Sequence, residues 1–408
     1  MNRPSIVLIV GAGLYGATCA YELSRRGHHC IVIEKGNHVG GNCYTERRDG
    51  IDLHLYGPHI FHTKNLAIWR WINQFAQFNH YRHRVRVKYG EKLYSFPPNL
   101  NTFNQLWGVT TPSEARSVLA RIGVATPGDE TIEKWALSHV GSEIYETFIR
   151  GYTQKQWHRS PSALPASIIK RIPVRFTYDD SYFDDPYQGI PISGYTEIFE
   201  QLLAGADVRL NTDYFECQAE LDPMADVVIY TGPIDRFFGY RFGRLEYLSV
   251  HLVHERLSTF DFQGIAQMNY TAADIPYTRI VEHKHFVFGQ QDLTWITREY
   301  PVTCASSCHQ QMYPVRDQEN LTILKRYELL AHQPEYDRYV FGGRLAEYRY
   351  YDMHQVIAGA LKKVAEIDEA MRFNTAKEIC MSRVFSSPGS ATKLTNESGA
   401  PVRSSVFE

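Results

Sequence analysis

The sequence predicts an α/β protein in which a parallel sheet with its helices is interrupted by an inserted helical domain and joined to an antiparallel β-sheet domain. Three observations carry this: a strand, glycine turn and helix in succession over 6–26, helical apolar spacing between 101 and 149, and alternating apolar patterns over 82–98 and 248–302. At 408 residues the chain exceeds one ordinary core, so several structural units are expected. A net charge of −2 favours neither a nucleic-acid partner nor an anionic membrane surface. The longest apolar stretch, 6–20, is too short to span a bilayer, so no membrane span and a cytoplasmic location are expected. Seven cysteines at scattered positions make no disulfide framework and read as reduced thiols.

The apolar run 6–10 leads into Gly11-Ala12-Gly13-Leu14-Tyr15-Gly16, and 17–26 follows with helical character. Gly11 permits the tight turn, Gly13 lets backbone approach a pyrophosphate, and Gly16 lets helix and strand pack closely. The phosphate then lies at the helix N-terminus. A second apolar run, 30–33, ends at Glu34, 23 positions after Gly11, where a carboxylate meets a ribose hydroxyl. With strand, helix and acid in register, this unit reads as a Rossmann-like dinucleotide site. The following turn-rich loop, 35–42, carries the pair Gly40-Gly41, which allows a second close approach of backbone, an extension more typical of FAD than of NAD. In Tyr56-Gly57-Pro58-His59-Ile60-Phe61-His62-Thr63 the two histidines stand three apart, and no acidic or cysteine partner completes a set at ligand spacing. They read as histidines beside a flavin, or hydrogen-bonded in the core, and no metal is expected.

Residues 82–98 alternate about a Tyr89-Gly90-Glu91-Lys92 turn and predict a β-hairpin. Apolar positions Ile132, Trp135, Ala136, Val140 and Ile144 mark the helical insertion. The segment 151–158 is taken to end it, with Pro161 and Pro165 breaking any helix beyond, so a mobile loop is expected near 152–165. The stretch 171–191 is dense in Arg and Tyr, which suits an anionic ligand because guanidinium groups bind diphosphate bidentately. Phe341-Gly342-Gly343-Arg344 closes a strand, and Asp352 with Gln355 makes a capping box opening a second helix. Its partial positive charge would favour a negative flavin edge. Beyond 371 the Ser-, Thr-, Gly- and Pro-rich sequence reads as a disordered tail.

Together GAGLYG, GGN, GPHIFHT, YSFPPNL, GYTQKQW, RIPVRF, YQGIP, PYTRIVEHKHF and FGGRLAEYRYYDMHQVI, running in order through about residues 5–365, resemble bacterial UDP-galactopyranose mutases. The resemblance implies an FAD-binding Rossmann-like domain assembled from 1–81, 197–245 and 314–370, a helical insertion at 99–196, and an antiparallel sheet domain from 82–98 and 246–313. It implies a flavin-dependent isomerase that interconverts UDP-galactopyranose and UDP-galactofuranose. Reduced FAD N5 acts as nucleophile at the sugar's anomeric carbon, without net redox change. The absence of a Ser-His-Asp set or a paired acidic dyad in the sequence agrees with cofactor-borne chemistry. An external reductant such as NAD(P)H and a homodimer are further expectations.

Carried over residue by residue, the resemblance implies catalytic roles for Arg171, Arg279, His59 and His62. Cofactor contacts fall on Gly11, Gly13, Tyr15, Gly16, Glu34, Lys35, Gly41, Asn42, His59, Ile60, Asp213, Tyr214, Arg344, Asp352, Met353 and Gln355. Substrate contacts fall on His83, Tyr152, Thr153, Trp157, Arg171, Tyr182, Asn269, Arg279, Tyr313 and Tyr350, with Tyr152 stacking on uracil. Four positions depart from the pattern: His83 for Asn, His158 and Ser193 for glycines, and Leu248 for an arginine. A protonated His83 would restore the charge lost at Leu248; a neutral His83 would simply donate one hydrogen bond in place of Asn. Alternatives are a mutase for a different sugar nucleotide, an FAD-dependent oxidoreductase on the same scaffold, and a sugar-nucleotide-binding protein without turnover.

Overall fold

The computed structural model describes residues 5–123, 131–170, 172–303 and 311–372. The parallel sheet forms around β1 (Ile6–Val10) and β2 (His29–Ile33), joined through α1 (Leu14–Arg25). Strands Tyr339–Phe341 and Val227–Tyr230 extend it on the β1 side and Asp207–Arg209 on the β2 side, all parallel. The uninterrupted apolar runs of β1 and β2 follow from burial on both faces. Val7, Ile9 and Val32 pack into one core with Ala17 and Ala20 of α1, whereas Leu8, Ile31 and Ile33 pack into a second with Tyr230, Tyr327 and Phe341.

The second sheet has seven strands in the order Tyr313–Pro314, Tyr247–Leu257, Thr294–Thr303, Arg279–Glu282, Gln267–Tyr270, Val85–Tyr89, Lys92–Phe96. It is antiparallel except where Gln267–Tyr270 meets Val85–Tyr89 in parallel, because the hairpin and the later meander come from separate stretches of chain. The hairpin turns through Gly90, whose φ of +59° a glycine adopts without strain.

Between the hairpin and the rest of the sheet the chain folds into helices Leu100–Trp107, Pro112–Ile122 and Ile132–His139, and then a continuous helical run from Gly141 to Trp157. That run passes through a π-helical turn, Tyr145–Arg150, and ends as α2 (Gly151–Trp157). The helices pack on one face of the hairpin, with Phe103, Leu119, Ile132 and Phe148 against Val85, Val87 and Phe96. Here the structure corrects the sequence reading, since residues 152–157 are helix rather than loop. A Cβ on Gly151 would lie 2.2 Å from the Thr271 carbonyl, so its glycine answers to packing. The chain leaves the helix only at His158, in the left-handed region with φ +49°, a conformation that glycine adopts most readily.

α3 (Met353–Arg372) closes the molecule, with Ile357, Ala360 and Val364 in the core that holds α1. Gln355 reaches back to the Asp352 amide at 2.9 Å, one half of the expected capping box. The tail beyond 372 lies outside the described residues. Cys19, Cys30, Cys43 and Cys217 are free thiols, and the other three cysteines also fall outside. Among the described residues no helix is long and apolar enough to cross a membrane.

The nucleotide-binding turn depends on missing side chains. A Cβ on Gly16 would stand 2.0 Å from the Gly11 carbonyl, whereas one on Gly13 would meet nothing within 4 Å, and Gly13 has an ordinary φ of −75°. Gly16→Ala should therefore destabilise the fold by about 1–3 kcal/mol through overpacking. Gly13→Ala should cost less than about 1 kcal/mol as an N-cap change. Urea unfolding of both variants checks this; equal losses would contradict the packing argument.

Candidate active site

At the carboxyl end of β1, Gly11 turns with φ +107° and its amide donates to the Ile33 carbonyl at 2.8 Å. Glu34 follows β2 and folds back over the turn, one carboxylate oxygen accepting from the Ala12 amide at 3.0 Å and the other from Gly36 at 2.8 Å. Gly41, at φ +53°, brings its backbone against Gly13, a Cβ there falling 3.2 Å from the Gly13 Cα. Asn42 sits in the same short turn, Gly41–Cys43. Tyr15 is buried under Gly342 and Gly343, where any side chain on Gly342 would collide with its ring. The open space over Gly13, beside a carboxylate at the end of the neighbouring strand, is a cradle that fits a dinucleotide.

Near this turn Lys35 and Asp213 are close enough to interact electrostatically. Asp213 caps the helix Tyr214–Leu221 and pairs with Arg236 at 2.7 Å. Tyr214 turns away from the crevice: its ring lies in the second core and its hydroxyl donates to Asp222 at 2.9 Å. Its side chain is a core element rather than a wall of the crevice.

The second half of the site is written in sheet register. Val87, Asn269, Arg279 and Glu299 stand opposite one another across four adjacent strands, so Asn269, Arg279 and Glu299 share a face. Glu299 is 2 % exposed and accepts from Arg279 Nε at 2.5 Å. The pair holds Arg279 firmly charged, its neighbours Glu299, Tyr152 and Tyr313 raising its pKa against the opposing effect of burial. Arg279 Nη2 reaches toward Gly57, 3.9 Å from where a Cβ would be. His59 lies close to both Arg279 and Arg344, its Nδ1 is 2.8 Å from the Gly57 carbonyl, and burial together with those two cations depresses its pKa to about 4. Arg344 donates to the Tyr351 carbonyl at 2.9 Å and lies over Tyr350, which stacks on Tyr313. Asn269 accepts from Gln267 at 2.9 Å. Tyr152, Tyr182, Tyr313 and Arg279 thus converge, and burial raises the Tyr152 phenol above its usual range. Thr153 is buried on α2, Trp157 packs on the helical core, and Ile60 is buried beside Val281. Met353 and Gln355 begin α3, and Arg171 lies outside the described residues.

Two expectations about histidines are corrected. His62 has partners that sequence spacing did not reveal: Asp185 Oδ2 at 2.5 Å from its Nδ1, Phe183 stacked at 3.7 Å, and the His354 ring 5.2 Å away. The ligand atoms of His62, Asp185 and His354 lie within 4.8 Å of one another, so the premise that no acid completes a set fails in three dimensions. His83 is 3 % exposed, stands beside Tyr182 and Phe183, and accepts or donates at Nδ1 to Tyr81. Burial, Arg279 and His62 push its pKa to about 3, so it is neutral near pH 7 and does not replace the charge missing at Leu248. Leu248 itself is buried opposite Tyr313, an apolar place in the sheet.

Glu299, Asp185, Phe183 and Lys155 are the residues of this region that sequence reasoning passed over. An acid on the inward register of the strand Thr294–Thr303 was the available signal for Glu299; nothing local distinguishes Asp185 from Asp184.

The depressed His83 pKa has a consequence for stability. Unfolding restores a value near 6.5, so the unfolded chain gains a proton below that pH that the folded chain refuses, and stability falls as pH drops. From pH 6.5 to 5 this costs about 2 kcal/mol. Urea unfolding at both pH values should show a smaller loss for His83→Asn than for the parent; identical losses would mean that His83 is not held neutral.

A family model described as UDP-galactopyranose mutase matches residues 147–350, and one described as an NAD(P)-binding Rossmann-like domain matches 9–75. A Klebsiella pneumoniae protein named "Probable UDP-galactopyranose mutase" is 39% identical over 372 residues, spanning 90% of this chain and 95% of its own. An Escherichia coli dTDP-fucopyranose mutase is 38% identical over 372 residues, spanning 89% and 97%. A crystal structure of reduced UDP-galactopyranose mutase shares the fold, with a TM-score of 0.66 at 14% identity over 94% of this chain and 96% of that one. On its sequence, the chain belongs to the UDP-galactopyranose mutase family.

Proposed function

We propose that the protein interconverts UDP-galactopyranose and UDP-galactofuranose, holding FAD along the parallel-sheet crevice and the sugar nucleotide over Arg279. The observation that carries this is the Arg279–Glu299 pair: a buried carboxylate takes Nε and leaves the outer guanidinium nitrogens facing Gly57, His59, Tyr152 and Tyr313. A cation so held is suited to two phosphate oxygens.

Reduced FAD, when bound, supplies a nucleophilic nitrogen to the anomeric carbon, with no net redox change. The chain's own residues supply position and charge. Gly13 and Gly41 would give the pyrophosphate access to backbone, Gly11 and Gly16 making the tight turn and close packing this needs. Glu34 would take the ribose, and Lys35, Asn42 and Asp213 would bound the adenosine. Tyr15, Ile60, Arg344, Asp352, Met353 and Gln355 would surround the flavin ring, where the N-terminus of α3 would favour negative charge. His59, neutral above about pH 4, lies beside that ring without adding a cation to it, and Asp185 fixes the orientation of His62.

Tyr152 stacks on the base, Asn269 hydrogen-bonds to it, and Thr153 and Trp157 complete that wall. Arg279 and Arg171 neutralise the diphosphate as charge grows on departing UDP and hold it for recapture, while Tyr182, Tyr313 and Tyr350 donate to its oxygens. His83 contributes a neutral hydrogen-bonding wall. An external reductant such as NAD(P)H, a homodimer and a cytoplasmic location complete the reading.

A second reading has specific support: the dTDP-fucopyranose mutase is as similar as the UDP-galactopyranose mutase relative, and Leu248 departs from the expected arginine. Specificity constants for UDP-galactofuranose and a dTDP-linked hexofuranose separate the two, the first reading requiring the uridine substrate to be preferred.

A charge-assisted hydrogen bond contributes about 1.5–3 kcal/mol. Arg279→Ala should therefore lower kcat/KM by roughly ten- to a hundredfold, measured on the fraction that retains flavin, because the variant also leaves Glu299 without its cation. Unchanged kinetics would remove Arg279 from the substrate site.

A further inference from the structure

Lys155 lies on α2 three residues after Tyr152, so the two side chains share a helix face. Its ammonium group turns into the 271–278 turn, where its three N–H groups are shared among four backbone carbonyls: Tyr270 at 2.6 Å, Ala272 at 2.9 Å, and Ile275 and Tyr277 at 3.0 Å. The turn joins strand Gln267–Tyr270 to strand Arg279–Glu282, and Asn269 and Arg279 face each other just inside it. Two further contacts bring helix and turn together. Gly151 packs so closely on the Thr271 carbonyl that a Cβ would fall 2.2 Å from it, and Thr271 donates to the Thr147 carbonyl at 2.5 Å.

These contacts join two elements that carry different parts of the nucleotide site. The helix bears Tyr152 and Thr153; the hairpin bears Asn269 and Arg279. Neither sequence separation nor sheet hydrogen bonding fixes one against the other, and the ammonium group spans the gap between them. We infer that Lys155 is a positioning residue: by gathering the carbonyls of the 271–278 turn it sets the helix carrying Tyr152 against the hairpin carrying Asn269 and Arg279. Base and diphosphate are then gripped at one fixed spacing. The clamp stands on geometry alone, while its effect on nucleotide binding rests on the proposed function. Lys155 touches neither substrate nor cofactor in this account.

Lys155→Met keeps the aliphatic stem and removes every donor, so the four carbonyls lose the cation they share. Hydrogen exchange of the full chain should quicken roughly tenfold or more at 151–157 and 271–278, with the parallel sheet unchanged, because local opening draws on local contacts. The dissociation constant of UDP should rise roughly tenfold, and KM should rise more than kcat falls, since a loosened spacing weakens substrate and transition state alike. Lys155→Gln, with two donors, should fall between. Unaltered exchange in both segments would overturn the inference, as would failure of both variants to fold, which would make Lys155 a determinant of the whole fold. If the local exchange changes but the parent protein binds no UDP, the clamp stands and the sugar-nucleotide reading fails.

Discussion

The site depends on one buried ion pair. Glu299 sits inside the larger sheet with almost no solvent, and a carboxylate there needs a cation in good geometry. Arg279, directly opposite on the neighbouring strand, meets that need through Nε and so cannot swing away. The register that aligns the pair also brings Asn269 to the next strand's matching position. Electrostatics thus fixes a row of side chains, and the outer face of the guanidinium is left pointing at Gly57 and His59, the segment that leads back to the parallel sheet.

The cofactor crevice rests on a different constraint, the approach of backbone to backbone. Gly16 against Gly11, Gly41 against Gly13, and Gly342 against Tyr15 are contacts that a Cβ would forbid or crowd. Each serves shape alone. The crevice and the Arg279 row meet at His59 and Arg344, where two cations and deep burial keep an imidazole neutral. Positive charge is concentrated in arginines that cannot titrate near neutrality, and His59 and His83 beside them serve as uncharged hydrogen-bonding groups.

What could be read from the sequence was local. The strand, glycine turn, helix and acid of 6–34 fall within one short stretch, each residue's task set by its immediate neighbours, and the hairpin at 85–96 is legible for the same reason. Residues whose meaning depends on register or on a distant segment were missed. Glu299 becomes an anchor only when its strand pairs with Arg279, and Asp185 becomes the partner of His62 from 123 positions away. The segment 151–158 read as the end of the helical insertion because the purpose of Gly151, making room for the Thr271 carbonyl, lies on another element. His83 looked chargeable because the sequence does not display the burial and the neighbouring Arg279 that hold it neutral.

The central claim is that this scaffold places a reduced flavin against the anomeric carbon of a sugar nucleotide held over Arg279. The most direct measurement is conversion of UDP-galactofuranose to UDP-galactopyranose, followed chromatographically under anaerobic conditions with the flavin-loaded protein either oxidised or fully reduced by dithionite. The account predicts sustained turnover by the reduced protein, none by the oxidised protein, and no stoichiometric consumption of reductant. Equal turnover in the two states would contradict it.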